Sequence, residues 1–237
     1  MTIVCLVKYG MLNLIILDVR NVTRYYVRSL NQKGMLKLSP GIRLCGIDPA
    51  KMRDAFGLVV IDIVDNSINV VAAKQWFRTE YLKVESDIRD IVDKLQIQKV
   101  FLETNNTGTH VLEVLKKYTV PVYPISTVSK ITDVKKIQSG KVMSKADIVA
   151  YTLILLQENR LIFPTPKSHD MQELINQFGV FQESITPSGL PSYSGPSNTH
   201  DDLVMALLIA IHGSRRWLDK GKLTMSLGPL PYGYTQK

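Results

Sequence analysis

From residue 42 onward the apolar and polar positions fall into runs of two different periods, and those periods predict the elements. "IRLCGID" (42–48), "FGLVVIDIV" (56–64) and "INVVAAKQW" (68–76) are β-rich runs joined by short polar stretches, which predicts an antiparallel meander. Val84, Ile88, Ile91, Val92 and Leu95 then recur at helical spacing over 84–96 and lead into a strand, "KVFLET". A helix over 108–118, the strand "PVYPIS", a long helix over 144–158 and the run "NRLIFP" follow. Strand-helix-strand order after a meander predicts an α/β fold, a mixed sheet with helices on both faces. There is no internal repeat and no low-complexity tract.

Ahead of this pattern, residues 1–40 read as short β-like runs (3–7, 12–19, 22–30) closed by the turn-rich "NQKG" and "SPG". They form an expected extension to a main domain at 41–216, with 217–237 as a tail; Met35 is an alternative start. The apolar opening "MTIVCLVKYGMLNLIILDV" lacks a basic leading region and an A-x-A cleavage site, and Lys8 and Asn13 interrupt it. It reads as a pair of strands and not as a signal sequence or membrane span. Two further segments read as surface near a ligand: 126–145, with five Lys against one Asp, and the Gly/Pro/Ser loop 186–199.

Composition narrows the class. The chain has 237 residues, 45% of them hydrophobic, enough for a sizeable core. Lys and Arg number 29 against 21 Asp and Glu, a net charge of +8, which favours a polyanionic partner, nucleic acid before membrane. The two cysteines, Cys5 and Cys45, lie in apolar stretches with no zinc-type spacing, consistent with a reducing intracellular compartment.

Three acidic positions carry the chemistry. Aspartate disfavours strands, and a buried carboxylate needs a compensating group, yet "LCGIDPA" ends a strand on Asp48 and "VFLETNNTG" ends another on Glu103. In an open α/β sheet such strand ends are where ligands bind, and two acids on adjacent strands would converge. In "NTHDDLVMALLIAIHG", Thr199 or Asn198 is placed to cap a helix whose first turn holds Asp201 and Asp202, while Leu203, Ala206, Leu207, Ala210 and Ile211 bury it. Carboxylates gathered without His or Cys suit a hard cation, Mg²⁺ or Mn²⁺, and two such ions can hydrolyse a phosphodiester. Each piece also has a plain structural reading: first-turn acids complement the helix dipole, and Asp48 and Glu103 could be turn or cap residues. The lysine-rich run could be a solvated loop. His110, His169, His200 and His212 show no ligand spacing, and neither a serine-hydrolase elbow nor a phosphate-binding loop of the P-loop kind occurs.

Taken in order, "GIDPAKMRDAFGLVVIDI", "VFLETNNTG", "MSKADIVAYTLILLQENRLIFP", "HDMQELINQF" and "THDDLVMALLIAI" resemble the C-terminal nuclease domain of large terminase subunits from tailed-phage-like viruses. The resemblance covers about residues 42–213, and "GIDPA" and "HDDLVMALL" are its most specific parts. It implies an RNase H-like fold and a two-metal endonuclease that cuts concatemeric double-stranded DNA during genome packaging in the host cytoplasm. By the same resemblance Asp48 is the metal-bridging carboxylate, Glu103 the second ligand, Asp201 or Asp202 the third, and Asp54 an auxiliary ligand; the other reading of Asp54 is a polar turn residue. Lys130, Lys135, Lys136, Lys141 and Lys145 are the expected contacts to the DNA backbone. Implied partners are double-stranded DNA, a packaging ATPase, a small terminase subunit and a portal. The chain departs from the full-length family in that nothing in it matches the motor, for which residues 1–40 are too few. Other RNase H-like nucleases of the Holliday-junction resolvase or transposase kind, a non-catalytic DNA-binding subunit and an actin-like nucleotide-binding fold stay open as alternatives.

Overall fold

A computed structural model describes residues 41–49, 55–105, 108–117, 120–128, 141–187, 191–196 and 199–218. The expected strands at 3–7, 12–19 and 22–30, together with Asp54, Lys130, Lys135 and Lys136, lie outside the described residues. Among the described residues a seven-stranded sheet is built from β1 (Ile42–Asp48), β2 (Ala55–Val64), β3 (Ser67–Phe77), β4 (Lys99–Glu103), β5 (Val122–Val128), β6 (Val142–Ser144) and β7 (Leu161–Ile162), in the order β6-β5-β4-β1-β2-β3-β7. The expected meander is β1-β2-β3, antiparallel throughout. Asp65 and Asn66, both at positive φ (47° and 64°), turn β2 into β3, the backbone twist that two-residue hairpins favour. β4, β5 and β6 continue parallel to β1 on its other side.

Both faces of this sheet are covered, which is why its strands read as near-continuous apolar runs. Cys45, Ile47, Leu58, Val60, Val100 and Leu102 pack under α1 (Tyr81–Lys94) and α2 (Gly108–Leu115). The alternate residues Leu44, Val59, Ile61, Phe101 and Ile125 face α3 (Lys145–Gln157), α4 (His169–Val180) and α5 (Asp202–Leu218). Each fully buried Leu or Ile here is worth about 1.5–3 kcal/mol.

α5 is the central helix. Every residue from Asp202 to Ser214 is buried, because the sheet lies under it and α3 and α4 lie against its outer side. Its burial is therefore wider than the single stripe that the spacing of Leu203, Ala206, Leu207, Ala210 and Ile211 suggests, and the helix runs to Leu218, past the boundary placed at 216. Gly57 and Gly46 let it sit directly on the strands: a Cβ on Gly57 would meet the Asp202 carbonyl, and one on Gly46 the Ala206 carbonyl and the Ala210 amide. Farther along, Gly213 lies against the Phe101 ring, so α5 crosses the sheet from β2 over β1 to β4.

Two expected loops contain regular structure. Within 186–199, β9 (Pro191–Ser194) pairs antiparallel with β8 (Gln182–Ile185), and β9 rests against α3. The pairing is long-range, and the Pro and Ser content of the stretch concealed it. In 126–145, the ends are the last residues of β5 and the whole of β6, followed directly by α3.

Candidate active site

β1 and β4 are parallel neighbours, so their C-terminal ends reach the same edge of the sheet, and each ends in an acid, Asp48 and Glu103. By strand alternation Asp48 points to the same face as Gly46 and Glu103 to the same face as Phe101, which is the face α5 covers. The two half-buried side chains share a hydrogen bond. Burial, first, holds the Asp48 carboxyl well above the usual carboxylate range; the bond to Glu103 and the charges of Glu103, Asp202 and Asp201 add to it. In the absence of a cation these surroundings favour the neutral form of Asp48.

Glu103 is held in turn by Asn105, whose Nδ2 donates to Glu103 Oε1 (3.2 Å) and to the Thr127 carbonyl at the end of β5 (2.7 Å). The Thr104 amide donates to the Ile125 carbonyl (2.9 Å), so the chain leaving β4 is fastened to β5 at both residues that follow the carboxylate.

The other two acids arrive on α5. Asp48 pairs across the sheet with Gly57, the residue on which the Asp202 backbone rests, and this register sets the helix N-terminus beside Asp48. Asp202 is the first helical residue and is buried, its Oδ2 3.5 Å from His200 Nδ1; the His200 ring meets Phe77 edge-on at 5.1 Å. Asp201 precedes the helix, and its carbonyl accepts the first helical bond, from Met205 (2.8 Å). Asp201 therefore occupies the cap position and not the first turn, and Thr199 stands too early to cap; its hydroxyl donates to the Pro196 carbonyl instead (2.9 Å). Asn198 lies outside the described residues. The free amide of Leu203 donates to Oε1 of Gln177, a buried side chain from α4 (3.1 Å). Gln177→Leu is accordingly expected to lower stability by about 1–3 kcal/mol in urea unfolding, because it strands that buried amide. Thr199→Ala should stay within about 0.5 kcal/mol.

Residues 45–213 match the family described as the terminase RNaseH-like domain. The chain belongs to this family. No curated protein matches the sequence. Among solved structures, the large terminase nuclease from thermophilic phage G20c is similar at 17% identity and TM-score 0.56, over 73% of this chain and 82% of that one. The nuclease domain of the Thermus phage P74-26 large terminase is similar at 15% identity and TM-score 0.52, over 72% and 78%. A longer large terminase, from another thermophilic bacteriophage, gives 8% identity and TM-score 0.53, over 72% of this chain and 39% of that one. These similarities establish the RNase H-like fold. The G20c nuclease has also been solved with bound cobalt and with bound magnesium, each at TM-score 0.56 to this chain.

In this terminase domain four of the five expected acids, Asp48, Glu103, Asp201 and Asp202, thus lie together at one edge of the sheet; the fifth, Asp54, is outside the described residues. Among the described residues, no set of three or more His, Cys, Asp or Glu side chains already stands as a cation cage. The donor set nonetheless suits a hard divalent ion: all four groups are carboxylates, and a cation would relieve the repulsion that helps to raise the Asp48 pKa. Of the expected DNA contacts, Lys141 and Lys145 are described. Lys145 follows β6 at the same edge, with Nζ 3.5 Å from the Tyr193 carbonyl of the β8–β9 hairpin. Asn105, Gln177 and the Phe77–His200 contact were not assigned roles from sequence. Asn105 had a local signal, an amide two residues beyond Glu103, whereas Gln177 reaches α5 from a distant helix.

Proposed function

We propose that this chain is a metal-dependent endonuclease that hydrolyses double-stranded DNA during viral genome packaging, using two Mg²⁺ or Mn²⁺ ions. The observation that carries the reading is the hydrogen-bonded Asp48–Glu103 pair on adjacent parallel strands, with Asp201 and Asp202 brought beside it by α5. Asp48, Glu103 and Asp201 or Asp202 would hold the ions, with Asp54 as an auxiliary ligand. Bound ions supply a more acidic water and relief of negative charge at the departing oxygen. The side chains do the remaining work. Asp48 and Glu103 would offer ligand oxygens from adjacent strand ends, Asn105 keeps Glu103 aimed at the sheet edge, and the packed N-terminus of α5 fixes the remaining acids.

Lys130, Lys135, Lys136, Lys141 and Lys145 would grip the phosphate backbone without reading sequence. The nuclease unit is assigned to residue 41 through the end of α5 at Leu218, two residues past the expected 216, flanked by 1–40 and the remaining tail. Because the match spans only 39% of the longer phage large terminase, a packaging ATPase, attached or separate, is a partner in this reading, with a small terminase subunit, a portal and the host cytoplasm as its setting.

The test is nicking and linearisation of supercoiled plasmid with Mn²⁺, Mg²⁺ or EDTA, beside a linear duplex and a four-way junction. Cutting with either ion and none in EDTA is expected, without preference for the junction. A folded protein that binds DNA yet cuts with neither ion would refute the reading. Asn105→Ala should reduce cleavage by about tenfold to a hundredfold and raise the Mn²⁺ concentration for half-maximal rate, the usual cost of losing a group that orients a ligand.

A further inference from the structure

Across the sheet from the acids, at the C-terminal end of α5, two cations lie over two aromatic rings. The Arg216 guanidinium stands 4.1 Å from the Trp217 ring centroid and 5.2 Å from that of Tyr123. Lys99 Nζ stands 5.7 Å from the Tyr123 centroid and 5.8 Å from that of Trp217. Tyr123 is itself stacked on Phe101, centroids 5.3 Å apart and planes at 22°, so the platform is anchored in the core. Arg216 is exposed, and Lys99, Tyr123 and Trp217 are half-buried. The adjacent Arg215 differs: it pairs with Asp147 at 2.7 Å. Among the described residues no carboxylate forms an ion pair with Lys99 or Arg216.

A guanidinium laid on a ring keeps its N–H edge outward and loses less rotamer freedom on meeting a two-oxygen anion. With Lys99 converging on the same rings, two positive charges face solvent at one fixed point. Because the cations cover the rings, the platform does not offer them to unstacked bases, which argues for a duplex backbone over a single strand. Arg216 follows Asp202 by fourteen helical residues, about 21 Å along α5. That is roughly two-thirds of the 34 Å helical turn of duplex DNA, so one duplex can reach both ends. We propose that Lys99 and Arg216, set on Tyr123 and Trp217, form a second phosphate-backbone contact for double-stranded DNA, a reading that rests on the nuclease function proposed above.

The experiment is fluorescence anisotropy of a labelled duplex of about 30 base pairs in EDTA over a range of salt, for wild type, Lys99→Gln, Arg216→Lys and Lys99→Gln/Arg216→Gln, each with a thermal melt. The log–log salt slope is expected to become shallower by about 2 in the double variant and about 1 in Lys99→Gln, and to be kept in Arg216→Lys. An unchanged slope in the double variant, with or without a lower melting temperature, overturns the proposal, as does a wild type that does not bind the duplex. Plasmid cleavage run in parallel separates the two readings: an unchanged slope with intact cleavage removes only this contact, and a changed slope with no cleavage removes only the nuclease.

Discussion

Asp48→Asn is expected to abolish metal-dependent plasmid cleavage and, at the same time, to raise the melting temperature of the metal-free protein. The two effects have one cause. Asp48 is a carboxyl that burial, Glu103 and the α5 acids together push toward its protonated form, so ionising it in the absence of a cation costs stability. Asparagine keeps the shape and a hydrogen-bond donor toward Glu103 while removing the group that ionises. Loss of a group that merely supports a ligand typically costs about 10–100-fold, so losing a ligand itself should cost more than about a hundredfold in rate. Glu103→Gln should fall as far.

The pH dependence follows from the direction of the shift. A carboxyl whose folded pKa is raised above its unfolded value of about 3.8 contributes stability that is complete below that value and is lost as pH rises through the folded one. Metal-free wild type should therefore melt progressively lower relative to Asp48→Asn as pH climbs above the unfolded value of about 3.8. Added Mn²⁺ should restore wild type more at the higher pH and leave Asp48→Asn nearly unmoved. Equal Mn²⁺ stabilisation of both proteins in a scanning-fluorimetry series would show that Asp48 does not bind the ion.

Gly46→Ala should be the most destabilising methyl addition beneath α5. The new Cβ would overlap the Ala206 carbonyl and stand 2.6 Å from the Ala210 amide and 2.9 Å from the Ala210 Cβ. Two of these three neighbours are helix backbone, so no rotamer change relieves the contact and α5 must lift from β1. A loss of about 3 kcal/mol or more in urea unfolding is expected. Because α5 also carries Asp201 and Asp202, whatever still folds should cut DNA poorly at saturating Mn²⁺. Gly179→Ala in α4 is the control: a Cβ there meets nothing within 4 Å, and alanine in a helix is favoured by up to about 1 kcal/mol, so the sign should reverse. A Gly46→Ala loss under about 1 kcal/mol would mean that the helix does not rest on β1 as described.

Much of this protein was legible along the chain because its two buried sheet faces leave a strong periodic record. The runs at 42–48, 56–64 and 68–76 became β1, β2 and β3 within a residue or so of their ends, and the helical spacing at Val84, Ile88 and Val92 became the buried face of α1. Asp48 and Glu103 stood out because a carboxylate closing an apolar strand conflicts with local preference. What local pattern could not supply was partnership. The β8–β9 pairing was missed because turn-forming residues dominate its sequence, and the cap on α5 was expected from Thr199 or Asn198 because nothing nearby points to Gln177, twenty-six residues upstream of Leu203.

The sequence by itself determined the period of each element, the acidic strand ends and the apolar run 203–211 of the helix, since these depend only on which neighbours a residue has along the chain. The tertiary structure decided that β1 lies next to β4, so that the Asp48 and Glu103 side chains meet. It also decided that Gly46 and Gly57 seat α5 with its acids beside them, and that Lys99, Tyr123, Arg216 and Trp217 meet at all. Strand order and helix docking join segments far apart in sequence, and the free energy that selects them comes from burying both sheet faces at once, a property of the assembled layers and of no single stretch.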